Sequence, residues 1–385
     1  MRKLSNKTHW LVMCLWMALF LVACVQEEPQ IPVVITTIPV EIGAAEDIAI
    51  NSRTGYVYII NKGNRVGVLK DLEQVALLET GTDLFVEPND LAVDEEHNWV
   101  YVVNRADDTV AIIQNTEVVA IVEAAGRYPQ EVAVEPNSGW AYVVGPYRTG
   151  SPLGGEAVIE GHVTVLDGPE VVGTILLEGI AAWHVTADPV DGYVYVAGSQ
   201  LTDDSPIGHP EKGVIVIFKG LDEVARLETL LPVYTMDVNP KTGEVFASDG
   251  GHQLYHFKQG KLLTVTEVVE GNDSIRNLRV HPETGDVYLV NWGEQTEIVV
   301  VRGRNEIARI PVGGSSLKMA IDPMSGNVYV ADFWFNTVAV IHGTEVTATL
   351  ETGLYPYGIA VNPANGRVYI SNTNEGTVTV LGFEN

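Results

Sequence analysis

The residues best suited to do chemistry share one position of an internal repeat. When eight repeats are aligned on an apolar strand, the residue before the apolar core of that strand reads Asp47, Asp90, Glu131, His184, Thr235, Asn277, Lys318 and Gly358. If the repeats close into a ring, the first four stand at the same height on neighbouring units. Three crowded carboxylates repel one another unless a cation, a proton or a basic group joins them.

This column predicts a candidate site made of Asp47, Asp90, Glu131 and His184. Oxygen ligands with one imidazole suit a divalent cation, although carboxylates alone suit Ca²⁺ or Mg²⁺ better. Lys318 and Asn277 lie across the ring in this alignment, where they could orient an anionic group. The alternative interpretation is a solvated polar rim without a ligand, and nothing in the sequence requires a cofactor.

Two insertions interrupt adjacent repeats, at residues 146–162 and 199–213. Both lengthen the connection between the second and third strands, so we expect them to emerge together and form a wall over one side of the opening. Function concentrates in such loops on rigid scaffolds, although neutral loop growth gives the same pattern. Their candidate residues are Tyr147, Arg148, Glu156, Glu160, His162, Asp203, Asp204 and His209.

The repeat that positions these residues begins near residue 44 and has a period of about 42. Each copy has an apolar strand, a turn such as Asn-Pro-Ala-Asn-Gly at 362–366, a strand around an aromatic residue, and further strand segments. The eight aromatic residues are Tyr58, Tyr101, Tyr142, Tyr195, Phe246, Tyr288, Tyr329 and Tyr369. Alternating β-branched and polar residues predict sheet rather than helix. Four antiparallel strands per unit of this length are typical of a β-propeller blade.

The last repeat ends without a fourth strand, and a matching segment lies at the other end of the chain. Ile-Thr-Thr-Ile-Pro-Val at 35–40 matches Ile-Ala-Arg-Ile-Pro-Val at 307–312, the fourth strand of the sixth repeat. We therefore predict an all-β fold, a single eight-bladed propeller of four-stranded antiparallel blades, closed by an N-terminal strand that joins the last blade. Closure hides sheet edges that would otherwise pair with other chains. A seven-bladed ring with one aberrant repeat is the alternative.

The aromatic strands with their turns, as in residues 362–372, resemble the YVTN family of β-propeller repeats over residues 33–385. The resemblance implies the propeller fold but little about function, because that family includes surface-layer proteins, uncharacterised periplasmic proteins and relatives of cofactor-bearing oxidoreductase propellers. Gly145 and Gly198 depart from the pattern, where an Asn or Asp often follows the aromatic strand. We expect the recurrent Asn or Asp to form turns and the repeated tyrosines to pack between blades.

The N-terminus has the pattern of a bacterial lipoprotein signal. A basic start is followed by fourteen uncharged residues at 10–23. This run is shorter than the stretch of about 20 apolar residues that a transmembrane helix needs, and it fits the apolar region of a signal peptide. The run ends in Leu-Val-Ala-Cys at 21–24, which resembles the lipobox. The resemblance implies cleavage before Cys24 and lipidation of its thiol, whereas an ordinary signal peptide with a chance cysteine is the alternative.

These observations predict a lipoprotein signal peptide at 1–23, a lipidated N-terminus with a short linker at 24–31, and the propeller at 32–385. We expect an extracytoplasmic protein, anchored through lipid to a bacterial membrane at the cell surface or in the periplasm. The chain has only two cysteines, Cys14 and Cys24. Cleavage and lipidation would leave no free thiol, which excludes disulfides, thiolate catalysis and cysteine–metal sites.

Charge and missing motifs narrow the function classes further. The net charge of −27 at pH 7 argues against nucleic acid, whose phosphates require a basic surface, and allows cations and basic partners. Motifs for haem attachment, phosphate loops, zinc peptidases and serine hydrolases are absent from the sequence. We expect a monomeric binding or interaction scaffold whose small-molecule or protein partner contacts the insertion-bearing face. The alternatives are a propeller enzyme of lyase or lactonase type with its site in the channel mouth, or an accessory subunit of an envelope complex.

Overall fold

Short antiparallel strands dominate the chain because each repeat alternates β-branched residues with tight turns. The computed structural model describes residues 30–383, except 62, 82–87, 126, 150–157, 201–211, 270–272, 294–295 and 315. The predicted signal peptide, Cys24 and most of the linker lie outside these residues. Across the described ranges, no helix has the length and hydropathy needed to cross a membrane.

The strands form eight four-stranded sheets, which are the blades. The first strand, β1 (Val33–Pro39), belongs to the last blade. Blade 1 contains β2 (Ala45–Asn51), β3 (Tyr56–Asn61), β4 (Arg65–Lys70) and β5 (Glu73–Glu79). Blade 2 contains β6 (Pro88–Asp94), β7 (Trp99–Asn104), β8 (Thr109–Gln114) and β9 (Glu117–Glu123). Blade 3 contains β10 (Glu131–Glu135), β11 (Trp140–Thr149), β12 (Val158–Asp167) and β13 (Glu170–Glu178).

The remaining five blades continue in chain order. Blade 4 contains β14 (Ile180–Ala187), β15 (Tyr193–Gln200), β16 (Lys212–Lys219) and β17 (Asp222–Thr229). Blade 5 contains β18 (Thr235–Val238), β19 (Glu244–Ser248), β20 (Gln253–Lys258) and β21 (Lys261–Glu267). Blade 6 contains β22 (Ser274–Val280), β23 (Val287–Trp292), β24 (Thr296–Arg302) and β25 (Asn305–Pro311). Blade 7 contains β26 (Ser316–Ile321), β27 (Asn327–Asp332), β28 (Thr337–His342) and β29 (Glu345–Glu351). Blade 8 contains β30 (Pro356–Asn362), β31 (Arg367–Asn372), β32 (Thr377–Gly382) and β1.

The ring closes through β1, as the sequence predicts. This strand pairs antiparallel with β32, so that Val33 lies opposite Gly382 and Pro39 lies opposite Thr377. The innermost strands of blades 1 and 8, β2 and β30, pack against each other. The eight-bladed fold is therefore confirmed, and the seven-bladed alternative is wrong.

The repeated tyrosines join each blade to the next. Five of them, all almost completely buried, hydrogen-bond through their hydroxyls to a backbone group in a turn of the following blade. The pairs are Tyr58 with the Asn115 carbonyl (3.0 Å), Tyr101 with the Gly168 amide (2.9 Å), Tyr142 with the Gly220 carbonyl (3.2 Å), Tyr195 with the Gly260 amide (3.0 Å) and Tyr288 with the Gly343 carbonyl (2.8 Å). Packing between blades is thus confirmed, with a directional contact added to it.

The recurrent Asn or Asp after the aromatic strand shapes the following turn. The side-chain oxygen of Asn61 accepts hydrogen bonds from the amides of Gly63 and Arg65. Asp332 accepts from the amides of Trp334 and Phe335 in the same way. A short polar side chain can satisfy these amides where the strand ladder stops, so the structural interpretation of this column is confirmed.

The insertions differ in one respect from the predicted loops. In blade 3 the ladder continues beyond the expected boundary, because residues 146–149 of β11 pair with residues 158–161 of β12. Pro146 and His162 are therefore strand residues, and the insertion begins as an extended hairpin. In blade 4, residues 199–200 and 212–213 likewise belong to β15 and β16. Antiparallel pairing extends for as long as partner residues are available, which the repeat alignment alone does not reveal.

Candidate functional site

All innermost strands begin at the same end of the ring. In each antiparallel blade, the connection from the preceding blade and the turn between the second and third strands emerge at this end. We call it the mouth face. Its segments include the turns 105–108 and 333–336 and the connections 124–130 and 230–234. The opposite end, the far face, carries turns such as 188–192 and 322–326.

A cavity of about 770 Å³ opens at the centre of the mouth face. Its lining residues are Glu46, Asp47, Asn89, Asp90, Arg105, Gln130, Glu131, Trp183, His184, Ser199, Pro232, Val233, Tyr234, Lys318 and Tyr357. Five of the six residues that the repeat column predicts for the site therefore line one cavity. The sixth, Asn277, is not among the lining residues, and its Oδ1 atom is buried without a hydrogen-bond partner in the described part of the chain.

β-Bulges bring a second column of residues to the cavity. The register shifts between Ala182 and His184 in β14, between Pro88 and Asp90 in β6, and likewise near the start of β2, β22, β26 and β30. Adjacent residues of a regular strand face opposite sides, but a bulge re-aims one of them. The cavity includes the residue one position earlier on several blades: Glu46, Asn89, Trp183 and Tyr357 lie at bulges, and Gln130 and Tyr234 lie just before the regular strands β10 and β18. The sequence analysis missed this column.

Lys318 forms an ion pair with Asp47, with 2.9 Å between Nζ and Oδ2. These residues belong to blades 7 and 1, so the lysine crosses blade 8, where the same column holds Gly358. A Cβ atom at Gly358 would overlap the Glu46 carbonyl oxygen, so only glycine fits. Attraction to Asp47 raises the pKa of Lys318 despite burial. Lys318 therefore contacts a carboxylate, where the alignment placed it across the ring, and its orientation of an anionic group stays a prediction.

Asp90 lies between the charges of Asp47 and Glu131. One of its oxygens accepts a hydrogen bond from the Val132 amide at 2.8 Å. Burial raises the pKa of Asp90 well above its usual value, and the negative charges of Glu131 and Asp47 raise it further, against the opposing effects of the Val132 amide and Lys318. Burial and the neighbouring negative charges thus favour a proton on Asp90.

Glu131 and His184 form the third part of the site. One oxygen of Glu131 accepts from the Val185 amide at 2.7 Å and lies 3.2 Å from Nδ1 of His184. Because a carboxylate can only accept, Nδ1 carries the hydrogen in this contact. When the imidazole carries only this one hydrogen, its Nε2 atom is an acceptor.

These contacts compensate much of the negative charge that the sequence places at the mouth. Lys318 supplies a basic group, His184 supplies a donor, and burial favours a proton on Asp90. Within the described ranges, no group of three or more His, Cys, Asp or Glu side chains is arranged to hold a metal ion. The divalent cation at Asp47, Asp90, Glu131 and His184 stays a prediction without a preformed ligand cluster there.

The insertion residues are only partly described. His162 lies on β12 with its Nε2 atom 4.0 Å from Glu160, and burial lowers its pKa. Tyr147 and Arg148 lie on the extended part of β11, opposite Glu160 and Ile159, and their side chains are outside the described part of the structure. The candidates Glu156, Asp203, Asp204 and His209 also lie outside the described residues.

Exposed aromatic side chains concentrate on the mouth face. All six that are exposed among the described residues lie there: Tyr128, Trp183, Tyr234, Trp292, Trp334 and Phe335. Trp334 and Phe335 are 62% and 64% exposed. The Arg276 guanidinium stacks between two of these rings, 4.6 Å from the centre of Trp292 and 6.0 Å from that of Tyr234. The far face exposes aliphatic residues such as Val190 and Met324 instead.

By sequence, the chain matches no family model and no curated protein. Among solved structures, the Dos1 propeller is similar with a TM-score of 0.71 and 12% identity, covering 93% of this chain and 97% of that one. The WD40 β-propeller domain of Doa1 has a TM-score of 0.57 and 10% identity, covering 92% and 97%. Hydrazine synthase of Kuenenia stuttgartiensis has a TM-score of 0.55 and 15% identity, covering 93% and 98%. At these identities the likeness establishes the β-propeller fold alone.

Proposed function

We propose that this protein is a lipid-anchored, extracytoplasmic binding protein that holds its ligand or partner at the mouth face. The observation that carries the proposal is the coincidence of the cavity and all six exposed aromatic side chains of the described residues on that face. Tyrosine, tryptophan and arginine are enriched at the energetic centres of binding surfaces. The described strand ends that flank the blade 3 and 4 insertions lie at the same end of the ring.

The direction of β1 supports an orientation in which the mouth face points away from the membrane. Val33 lies at the far-face end of blade 8 and Pro39 at the mouth-face end, because they pair with Gly382 and Thr377. The chain therefore enters the ring from the far face. A tether that runs from a lipidated Cys24 to Val33 can span at most about 30 Å, which would hold the far face toward the membrane and turn the mouth face away from it.

Site-specific photo-crosslinking in cells tests the binding face. A photoreactive amino acid is placed on the mouth face at Tyr128, Trp334 or Phe335, and on the far face at Val190, Leu221 or Met324. We expect adducts of any chemical class, detected by mass, to concentrate at the mouth-face positions. Adducts confined to the far face would show that the binding surface is wrongly assigned, and an envelope protein in the adducts would identify an accessory role.

The anchor is tested separately with Cys24→Ala. We expect the variant to lose the lipid and to appear in the soluble fraction, since the acyl chains would supply the attachment. Cys14→Ser is the matched control and should stay with the membrane. A Cys24→Ala variant that resists washing from membranes would mean that residues 10–23 act as a true membrane span.

One observation favours an enzyme as a second candidate. The Glu131–His184 contact fixes the imidazole tautomer and leaves Nε2 as a base in a cavity that also holds Asp90. Nitrogen NMR of the His184 ring tests this arrangement, and we expect the Nδ1–H tautomer, kept in Glu131→Gln, whose side-chain oxygen still accepts, and lost in Glu131→Ala. The opposite tautomer in the unmodified protein would remove the base from the cavity.

A further inference from the structure

The mouth cavity has two walls of different chemistry. Blades 1 to 3 contribute a polar wall of carboxylates and amides, made of Glu46, Asp47, Asn89, Asp90, Gln130 and Glu131. Blades 4, 5 and 8 contribute aromatic rings, Trp183, Tyr234 and Tyr357. A ligand that fills this cavity must therefore satisfy polar groups on one side and cover apolar ring surface on the other.

The polar wall is rich in acceptors. The amide nitrogen of Asn89 donates to the Gln130 carbonyl, and that of Gln130 donates to the Tyr128 carbonyl at 3.1 Å. Because a carbonyl only accepts, each amide must turn its nitrogen toward it, which leaves the amide oxygens without a partner among the described residues. The second oxygen of Glu131 adds a further acceptor, and Asp90, on which burial favours a proton, offers a hydroxyl that donates and accepts. A bound ligand must donate several hydrogen bonds here.

The same cavity also contains donors. The Arg105 side chain lines it, is exposed to solvent and has no hydrogen bond or ion pair with any described residue, so its N–H groups are open to acceptors on a ligand. An ammonium ligand could donate to the acidic wall, but it accepts no hydrogen bond and is repelled by Arg105 and Lys318. A hydroxyl group both donates and accepts, and a ligand with many hydroxyls satisfies the whole wall.

One ring of the aromatic wall has a packing partner before any ligand arrives. The exposed Tyr234 ring stacks on Arg276, which also covers Trp292, and such packing limits the freedom that the ring would lose on binding. Trp183 stands at the bulge of β14 and is partly exposed. A sugar ring matches these walls, since it presents hydroxyl groups around its edge and a C–H surface on its face.

We propose that the mouth cavity binds a neutral carbohydrate, with Trp183 and Tyr234 against the C–H face of a sugar ring and Asn89, Asp90, Gln130, Glu131 and Arg105 bonded to its hydroxyls. The cavity of about 770 Å³ falls within the range of about 300–1,000 Å³ that is usual for ligand sites. This inference rests on the proposed binding function of the mouth face and names its ligand class.

The test uses the full-length lipidated protein in detergent. The probes are linear oligosaccharides of glucose in three linkages, of xylose, of mannose and of N-acetylglucosamine, with 1,6-diaminohexane as a cationic probe. Tryptophan fluorescence and calorimetry report binding. We expect at least one oligosaccharide to bind with a Kd below about 1 mM, and Trp183→Ala and Asp90→Asn to weaken it at least about tenfold. Trp183→Phe, which keeps an aromatic ring, should recover most of the affinity.

Trp334→Ala is the matched control, because Trp334 is exposed on the mouth face but does not line the cavity, and it should bind like the unmodified protein. The proposal is overturned if no oligosaccharide saturates below about 10 mM, or if Trp183→Ala binds unchanged. Saturable binding of the diamine alone would assign a cationic ligand instead. If the sugars fail while photo-crosslinks still concentrate at the mouth face, the ligand class is wrong and the binding face stands.

Discussion

Replacing Tyr101 with phenylalanine should weaken the contact between blades 2 and 3. The hydroxyl of Tyr101 accepts a hydrogen bond from the Gly168 amide at 2.9 Å, and both groups are buried. Phenylalanine fills almost the same volume, so the substitution removes the acceptor and leaves a buried N–H group unsatisfied. Such an orphaned group costs about 1–3 kcal/mol, and we expect the free energy of unfolding to fall by that amount.

Urea unfolding measures this change, and the chain offers its own control. The Tyr329 hydroxyl is buried beside the side chains of Asn327 and Ser325 and makes no hydrogen bond to a described backbone group, so Tyr329→Phe leaves no backbone amide unsatisfied and should cost less than Tyr101→Phe. Blade 5 already has Phe246 at this position. Equal losses in Tyr101→Phe and Tyr329→Phe would refute the inter-blade hydrogen bond and reduce the tyrosines to apolar packing.

Three further predictions concern the ring and the mouth. Ile38→Ala in β1, whose side chain is buried, should cost about 2–5 kcal/mol of unfolding free energy, and a loss below about 1 kcal/mol in urea unfolding would show that β1 does not complete blade 8. Gly358→Ala should cost about 1–3 kcal/mol because its Cβ overlaps the Glu46 carbonyl, and an unchanged urea midpoint would contradict that contact. Asp90→Asn should raise stability at pH 7 but not near pH 4, since burial raises the folded-state pKa of Asp90 and its ionisation disfavours the folded state as the pH rises. Urea unfolding at both pH values decides this, and a less stable Asn variant at pH 7 would contradict it.

Local patterns were sufficient to predict the fold. Each repeat encodes its strands through alternating residues and its turns through Asn, Asp, Pro and Gly, and these signals do not depend on distant parts of the chain. Even ring closure could be predicted, because residues 35–40 resemble the fourth strand of another repeat and pair with β32 as expected. Repetition of one unit makes such inference possible, since the same strand and turn pattern recurs in every blade.

The site was harder to predict because it depends on register between strands. The repeat alignment finds the column of Asp47, Asp90, Glu131 and His184, but strict alternation assigns the preceding residues to the opposite side of the sheet. Bulges in the inner strands break that alternation and bring Trp183 to the cavity. A sequence signal was available, since the column of preceding residues, which includes Trp183, holds large or polar side chains where a buried sheet face would hold aliphatic ones.

The acidic residues of the mouth also hold neighbouring blades together. Each of these side chains therefore has a structural role in addition to its proposed role in ligand binding. Asp90 accepts from the Val132 amide in the next blade, and Glu131 accepts from the Val185 amide in the blade after that. Asp237 repeats the arrangement with the Val280 amide. An amide side chain keeps the accepting oxygen but loses the charge, so Asn and Gln substitutions preserve these links where alanine would leave buried amides unsatisfied. Loss of ligand binding in Asp90→Asn or Glu131→Gln can therefore be attributed to the charge and hydrogen-bonding capacity of the mouth, whereas the same loss in an alanine variant would include damage to the ring.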